Sequence, residues 1–243
     1  AIDTVFNVTL TLTNHAGATD AKTLTLDRQI KVKDENEKPA VANKTFNIKE
    51  NPKVGSSVGT VTGTDPDTYN AVYSKLTYSL FDAAGFAGLS SSFKINRNTG
   101  AITVADSTQL NFEKYSSIKI GVQVVDGGNL KAAGTVTINI SNINEKPEIG
   151  CKSGDSNCNG PFKVNENSKT GTPIHEFVVS DVDAGDLESV TASIKDNGST
   201  GADSLFSVTL EGGILTIVVK DSVKLDYEKV NPAHEVVVTV IDA

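Results

Sequence analysis

The residues best suited to chemistry in this chain are acidic side chains that recur at a nearly constant interval. Asp65-Pro66-Asp67 is matched 116 positions later by Asp181-Val182-Asp183. The alternating segment that ends in Asp126 is matched, again 116 positions later, by a segment that ends in Asp242. Ca²⁺ takes about six to eight oxygen ligands, many of them carboxylates. The spacing therefore indicates that cation sites recur along the chain.

Two glutamates recur in the same way. Phe46–Ser56, which contains Glu50, returns 116 positions later as Phe162–Thr172, which contains Glu166. The sequence LNFE at 110–113 returns 115 positions later as LDYE. Turn formation could explain a single Asp or Asn motif, but glutamate has no such preference. Four motifs in one order at one offset indicate a tandem array of one domain.

Composition and charge exclude several classes of partner. The chain has 243 residues, a net charge of −8 and neither Met nor Trp. The charge argues against nucleic acid or an anionic membrane surface as a partner. No apolar run is long enough to span a membrane, so we expect no membrane insertion in this segment. Residue 1 falls inside a strand pattern, and we expect the segment to be part of a longer protein.

Alternating apolar and polar residues predict short β-strands. Phe6 to Leu12 is typical of a half-buried strand, followed by a turn at 14–17 and a second strand. The predicted strands lie at about 6–12, 22–33, 118–124, 136–140 and 236–240. Strands of this kind, separated by Gly, Asn and Asp turns, predict an all-β chain of antiparallel β-sandwiches. The LNFEKYSS and LDYEKVNP segments could each hold one helical turn.

Two proline-ended linkers divide the chain. They are DENEKP at 34–39 and NINEKP at 142–147, and proline keeps such a linker extended. We predict the last two strands of a first repeat at 1–38 and a complete repeat at 39–146. A third repeat at 147–243 would lack its final strand.

These motifs together resemble the cadherin family. Its repeats carry an early Glu-Asn, a mid-domain Asp-x-Asp, a Leu-Asp-x-Glu, a late Asp-x-Gly and an acidic linker that ends in Pro. The short Asn-Glu-x-Pro linker looks more like that of bacterial cadherin-like surface proteins than that of vertebrate receptors. The resemblance covers essentially the whole chain. It implies Greek-key sandwiches of the cadherin/immunoglobulin type in an extended rod, with Ca²⁺ as the cofactor between repeats.

The resemblance also implies which residues bind the ions. At the first junction the implied ligands are Asp34, Asn36, Glu37, Asp65, Asp67 and Asp126. At the second they are Glu50, Glu113, Asn144, Glu145, Asp181, Asp183 and Asp242. Glu166, Asp226 and Glu228 are the corresponding acids of the third repeat. Asn111 and Asn142 stand where the pattern has Asp, so one ion position at the second junction is expected to be weak or empty.

Cys151 and Cys158 enclose a small polar loop and suggest a local disulfide. A metal site there is disfavoured, because the sequence has no His nearby and only two thiols. Asp155 to Gly160, followed after five intervening residues by Glu166, also fits an EF-hand calcium loop. Against this, no helices flank the loop, and residues 160–166 would span roughly 20 Å as a strand. Whether the loop binds a separate cation is left open.

Enzyme activity is not expected. His15, His175 and His234 are interpreted as surface residues with no matched nucleophile. Paired carboxylates could suggest a glycosidase, but the acids cluster at predicted junctions and no Trp is present to stack on a sugar.

The sequence therefore predicts a calcium-rigidified structural or adhesive segment of a large extracellular or cell-surface protein. Its partners would be neighbouring repeats of the same chain and, beyond them, a cell-surface protein or glycan. Two alternatives stay open. One is a carbohydrate- or matrix-binding module, and the other is an inert spacer that presents a distant tip domain.

Overall fold

The computed structural model describes residues 4–13, 23–183, 189–196, 205–228 and 235–242. The chain divides into two compact units, Ala1–Asn142 and Ile143–Ala243. His15, His234 and the turn predicted at 14–17 lie outside the described residues. No helix within the described ranges is long and apolar enough to cross a membrane.

The first unit begins with an antiparallel hairpin of β1 (Thr4–Thr13) and β2 (Thr23–Val32). The register runs from Thr4 opposite Val32 to Thr13 opposite Thr23. The two strands lie where the alternation predicts them, but the expectation of a half-buried face is wrong. Phe6 is 54% exposed and Leu12 is 70% exposed. Within the described residues no second sheet packs on this apolar face.

The remainder of the first unit is a β-sandwich. A four-stranded sheet has the order β4-β11-β10-β7, a three-stranded sheet has the order β5-β9-β8, and β3 pairs with β6. The strands are β3 (Ala40–Val41), β4 (Lys44–Lys49), β5 (Ser57–Thr60), β6 (Gly63–Thr64), β7 (Thr77–Asp82), β8 (Phe93–Ile95), β9 (Ala101–Val104), β10 (Ser117–Val125) and β11 (Lys131–Ser141). A short 3₁₀ helix occupies Leu89–Ser92.

The sandwich core follows from the period of two in the sequence. In β10 the alternate residues Ile118, Ile120, Val122 and Val124 are all fully buried. They pack with apolar residues of β9 and β11 in one cluster. β10 and β11 pair antiparallel, whereas β4 runs parallel to β11. The core therefore holds the loops at both ends of the sandwich in place.

The second unit repeats much of this arrangement. Its sheets have the orders β12-β13-β16-β15 and β14-β17. The strands are β12 (Glu148–Cys151), β13 (Pro173–Ser180), β14 (Thr191–Asp196), β15 (Phe206–Glu211), β16 (Ile214–Val219) and β17 (Val236–Ile241). Val179, Leu215 and Ile217 form the centre of the core. The chain around Phe162 is not a strand, although its counterpart Phe46 lies in β4. The reason is that β4 pairs with β11, which has no counterpart within the described residues.

The LNFE segment forms a turn rather than a helix. The Tyr115 amide donates to the Asn111 carbonyl at 2.9 Å, which closes a single helical turn that does not continue. The single helical turn predicted for the LNFEKYSS segment is therefore present, and it does not extend into a helix.

Candidate metal centre

Two loops of the first unit bring acids together at one end of the sandwich. The segment that follows β2 supplies Asp34 and Glu37, and the segment after β6 supplies Asp67. One carboxylate oxygen from each of these residues lies within 4.8 Å of the others. No lysine or arginine forms an ion pair with them among the contacts of the described chain. Like charges are therefore concentrated without a basic partner.

Asp67 is the centre of this cluster, since it is only 4% exposed. Its Oδ2 accepts the Glu37 amide at 3.0 Å. Its own amide donates to Asp65 Oδ1 at 2.9 Å. Three further oxygens are buried without a hydrogen-bond partner: Asn36 Oδ1, Asp65 Oδ2 and Asp67 Oδ1. Buried polar atoms are normally paired, so three unpaired acceptors in one cluster suit a cation that binds oxygen.

Asp126 is held by the turn after β10. Its Oδ1 accepts the amides of Gly128 at 2.8 Å and Leu130 at 2.9 Å. Its Oδ2 accepts Asn36 Nδ2 at 3.2 Å, which ties the linker to the turn. A Cβ at Gly127 would lie 1.9 Å from the Val72 carbonyl oxygen. The Asp-Gly pair is thus required by the turn itself as well as by any ligand.

The pKa values of Glu37 and Asp65 reflect the crowding of carboxylates in this cluster. The pKa of Glu37 is raised above its usual value of 4.5, first by the hydrogen bond it shares with Asp67 and then by the Asp67 charge. The pKa of Asp65 is raised above 3.8, first by burial, with the charges of Asp67 and Asp126 adding to the effect. Both shifts mark negative charge that is unfavourable where it stands. Carboxylate and amide oxygens are a ligand set that fits Ca²⁺.

One member of this centre was missed by the sequence reasoning. Asn70 is buried, and its Nδ2 donates to Asp34 Oδ2 at 2.6 Å. Its Oδ1 accepts the amides of Val72 and Tyr73 at 3.1 and 3.2 Å. Asn70 therefore orients Asp34, a proposed ligand, rather than binding the ion itself. The sequence does carry a signal for Asn70, because it follows Asp65 by five residues and Asp186 follows Asp181 by the same interval. Asp186 lies outside the described residues.

Glu50 lies at the other end of the same sandwich. It is 2% exposed, and its Oε2 accepts the Phe112 amide at 2.9 Å. Asn51 adopts a left-handed φ of 50°, which asparagine tolerates better than most residues, and donates to Leu110 at 2.9 Å. Glu50-Asn51 thus ties the LNFE turn to the sandwich. Glu113 is exposed.

The second unit repeats these contacts. Glu166 Oε2 accepts the Tyr227 amide at 3.0 Å, and Asn167 has φ of 58° and donates to Leu225. Carboxylate oxygens of Glu166, Asp226 and Glu228 lie within 4.8 Å of one another. The recurrence shows that the Glu-Asn and Leu-Asp-x-Glu motifs act as one structural pair.

The acids after β13 repeat those after β6. The Asp183 amide donates to Asp181 Oδ1 at 2.9 Å, and Asp183 Oδ2 accepts the Glu145 amide at 2.8 Å. Oδ2 of Asp181 and Oδ2 of Asp242 are buried without a hydrogen-bond partner. Asn144 is exposed. In each unit, therefore, an Asp-x-Asp segment holds the preceding linker through the amide of its glutamate.

The cysteine loop carries the predicted disulfide between Cys151 and Cys158, with a Cα–Cα distance of 5.6 Å. The loop lies against β13, because Asp155 Oδ2 is 3.0 Å from His175 Nε2. The prediction that His175 is a surface residue is wrong. Its side chain is 13% exposed and stacks on Phe162, with ring centroids 4.0 Å apart.

The structure also separates the two ends of the EF-hand-like pattern. Asp155 groups with His175, whereas Glu166 groups with Asp226 and Glu228. Within the described residues the two acids therefore share no cluster.

Comparison with known proteins agrees with this architecture. The sequence profile of the cadherin domain matches residues 44–141. This range runs from the start of β4 to the end of β11 and contains Glu50, Asp65, Asp67 and Asp126. Residues 44–141 are therefore a cadherin domain.

Solved structures share the fold. The extracellular domain of protocadherin gamma B4 matches at 24% identity and a TM-score of 0.62, over 98% of this chain and 34% of that one. The ectodomain of human desmocollin-1 matches at 24% identity and a TM-score of 0.50, over 96% and 43%. The segment EC22-24 of mouse cadherin-23 matches at 23% identity and a TM-score of 0.58, over 89% and 64%. The chain thus spans between a third and two thirds of the length of these structures, and the likeness supports the all-β sandwich fold.

Proposed function

We propose that this chain is a segment of a rod of tandem cadherin repeats in which Ca²⁺ binds at the repeat junctions. The observation that carries the proposal is the set of three buried oxygens without hydrogen-bond partners, on Asn36, Asp65 and Asp67. The match of residues 44–141 to the cadherin domain supports a position on the cell exterior, where free Ca²⁺ is abundant. The role we assign is structural and adhesive.

The donor set supports Ca²⁺ over softer metals. All the side chains that we assign to the first junction offer oxygen, and none offers sulfur or imidazole nitrogen. The assigned ligands are Asp34, Asn36, Glu37, Asp65, Asp67 and Asp126. Oxygen-only sites suit hard cations such as Ca²⁺ and Mg²⁺. Ca²⁺ is favoured because the ligands come from three separate loops, and its coordination tolerates irregular geometry.

The linker is the element that such an ion would immobilise. Residues 34–37 are held by side-chain contacts: Asn70 to Asp34, Asn36 to Asp126, and the Glu37 amide to Asp67. Without a cation the carboxylates in these contacts repel one another, so the contacts would open easily. With Ca²⁺ bound, the same residues would stiffen the passage from one repeat to the next.

The recurrence of contacts supports the tandem arrangement. Glu50 and Glu166 accept equivalent amides, and so do Asp67 and Asp183. We therefore retain the division into repeats at 1–38, 39–146 and 147–243. The ligand set assigned to the second junction stays a prediction on the same reasoning.

Calorimetric titration of the full chain with CaCl₂ tests the proposal. We expect exothermic or endothermic heats that saturate by millimolar Ca²⁺, and much weaker binding of Mg²⁺. Asp67→Asn should weaken a subset of the sites, whereas Asp106→Asn should leave the titration unchanged. Asp106 is a suitable control because its carboxylate accepts the Thr108 amide in an exposed turn remote from the cluster. Absence of heat with Ca²⁺ would refute the proposal.

Small-angle scattering tests the mechanical consequence. If Ca²⁺ stiffens the junctions, the chain should scatter as a longer and narrower particle in Ca²⁺ than in chelator. If Ca²⁺ binds without any change in the scattering profile, the calcium sites would be supported but the proposed rigidification would be refuted.

A further inference from the structure

The cysteine loop brings four possible metal ligands together in the second unit. Ligand atoms of Asp155, Cys158 and His175 lie within 4.8 Å of one another. The Cys151 sulfur is bonded to the Cys158 sulfur at 2.03 Å and so belongs to the same group. The sequence disfavours a metal at this loop because no histidine is near it. In the folded chain β13 supplies His175.

His175 and Asp155 are positioned rather than free to swing. The His175 ring stacks on Phe162 and meets Phe177 edge-on at 4.8 Å. Asp155 Oδ1 accepts the Asn157 amide at 2.9 Å, which directs Oδ2 towards His175. His175 Nε2 is buried, faces that carboxylate at 3.0 Å and makes no well-formed hydrogen bond.

We propose that reduction of the Cys151–Cys158 disulfide creates a Zn²⁺ site formed by both thiolates, His175 Nε2 and Asp155. Tetrahedral Zn²⁺ with bonds of about 2.0–2.3 Å needs ligand atoms about 3.3–3.8 Å apart. Ligand atoms within 4.8 Å of one another need a contraction of at most about 1.5 Å, whereas the two sulfurs must move apart once their bond is reduced. The loop that carries them is short and exposed. In the oxidised chain the sulfurs are bonded to each other, which leaves only two ligands and no stable site.

The chemistry balances with a phosphine as the reductant. The disulfide, one phosphine and one water give two thiols and one phosphine oxide. Zn²⁺ then displaces one proton from each thiol, because the thiolate is the ligand. A reduced chain would therefore hold the loop closed through a metal instead of a disulfide.

The test uses the full chain, either oxidised or reduced with a phosphine, without oxygen and in millimolar CaCl₂ to occupy the acidic clusters. Co²⁺ serves as the probe and Zn²⁺ as its competitor. We expect one Co²⁺ per reduced chain, with a thiolate-to-cobalt absorption that Zn²⁺ abolishes. Zn²⁺ should also protect both thiols from an aromatic disulfide reagent. The oxidised chain should show neither effect.

Variants separate this site from binding by two thiols alone. Asp155→Asn and His175→Asn should each weaken Co²⁺ binding at least tenfold. Glu176→Gln, beside His175 on β13 but paired with Lys152, should leave it unchanged. Asp155 is in an exposed loop, so its variant remains informative if the histidine variant fails to fold. Unchanged affinity in Asp155→Asn, equal loss in Glu176→Gln, or equal binding by the oxidised chain would each overturn the proposal.

Discussion

Asp67→Asn should change the stability of the first unit in opposite directions with and without Ca²⁺. The substitution keeps the side-chain shape and an oxygen that can accept the Glu37 amide, but it removes one negative charge. A carboxylate oxygen of Asp67 lies within 4.8 Å of one on Asp34. At that separation two unit charges repel by about 0.9 kcal/mol even at the dielectric constant of water. In chelator the variant should therefore be about 1 kcal/mol more stable than the parent chain.

In Ca²⁺ the sign should reverse. At a Ca²⁺ concentration about 100 times the dissociation constant, binding stabilises the folded chain by about 2.7 kcal/mol. If losing one charged ligand weakens binding about 30-fold, the same Ca²⁺ concentration supplies only about 0.9 kcal/mol. The loss of about 1.8 kcal/mol exceeds the relieved repulsion, which leaves the variant about 1 kcal/mol less stable than the parent chain.

Differential scanning calorimetry in chelator and in Ca²⁺ measures both signs. With about 3 °C per kcal/mol for a unit of this size, the calcium-induced rise in Tm should fall from about 8 °C to about 3 °C. Asp82→Asn is the matched control. Asp82 accepts amides from Gly88 and Ser90 outside the cluster, so its loss should act equally in both conditions. An Asp67→Asn chain that is destabilised equally in chelator and in Ca²⁺ would refute the assignment of Asp67 as a ligand.

Three further outcomes are expected. The raised pKa values of Glu37 and Asp65 mean that the folded chain in chelator binds protons that the unfolded chain does not, so its Tm should rise as the pH falls from neutral towards about 5. Ca²⁺ should remove this trend, and a Tm in chelator that falls steadily over that range would contradict it. Gly127→Ala should cost about 2 kcal/mol or more in urea denaturation, because its Cβ would meet the Val72 carbonyl oxygen at 1.9 Å. In Gly150→Ala the added Cβ would lie 3.9 Å from the Val178 carbonyl oxygen, so this control variant should change stability by less than about 0.5 kcal/mol. An equal loss of stability in the two variants would show that the close approach at Gly127 is not the cause. Reduction of the disulfide should lower stability by at most about 2.4 kcal/mol, the chain-entropy value for a sequence separation of 7, and global unfolding on reduction would contradict it.

Sequence alone was sufficient for most of the strands and for the identity of the acidic motifs. Alternation placed β10 and β17 within one residue, because one face of a strand in a sandwich must be apolar, but it missed the first five residues of β11. The repeated offset identified Asp65 and Asp67 as members of one motif, which are hydrogen-bonded to each other. It also identified Glu50 and Glu166 as equivalent positions, and these make equivalent contacts because they belong to repeats of one domain. The same reasoning failed for the hairpin β1–β2, whose apolar face is exposed. Alternation shows that a face is apolar, but burial depends on what packs against it.

Contacts between residues far apart in the chain were decided only by the tertiary structure. Asn70 lies 36 positions from Asp34, and apart from its correspondence with Asp186 in the repeat nothing distinguishes it from an ordinary turn residue. His175 lies 20 positions beyond Asp155 and reaches the cysteine loop only because β12 and β13 pair antiparallel. Sequence periodicity determines which residue types occur and on which face of a strand they lie, because both follow from local backbone geometry. The partners of a buried polar atom depend on how separate loops are brought together, and that is a property of the packed sandwich.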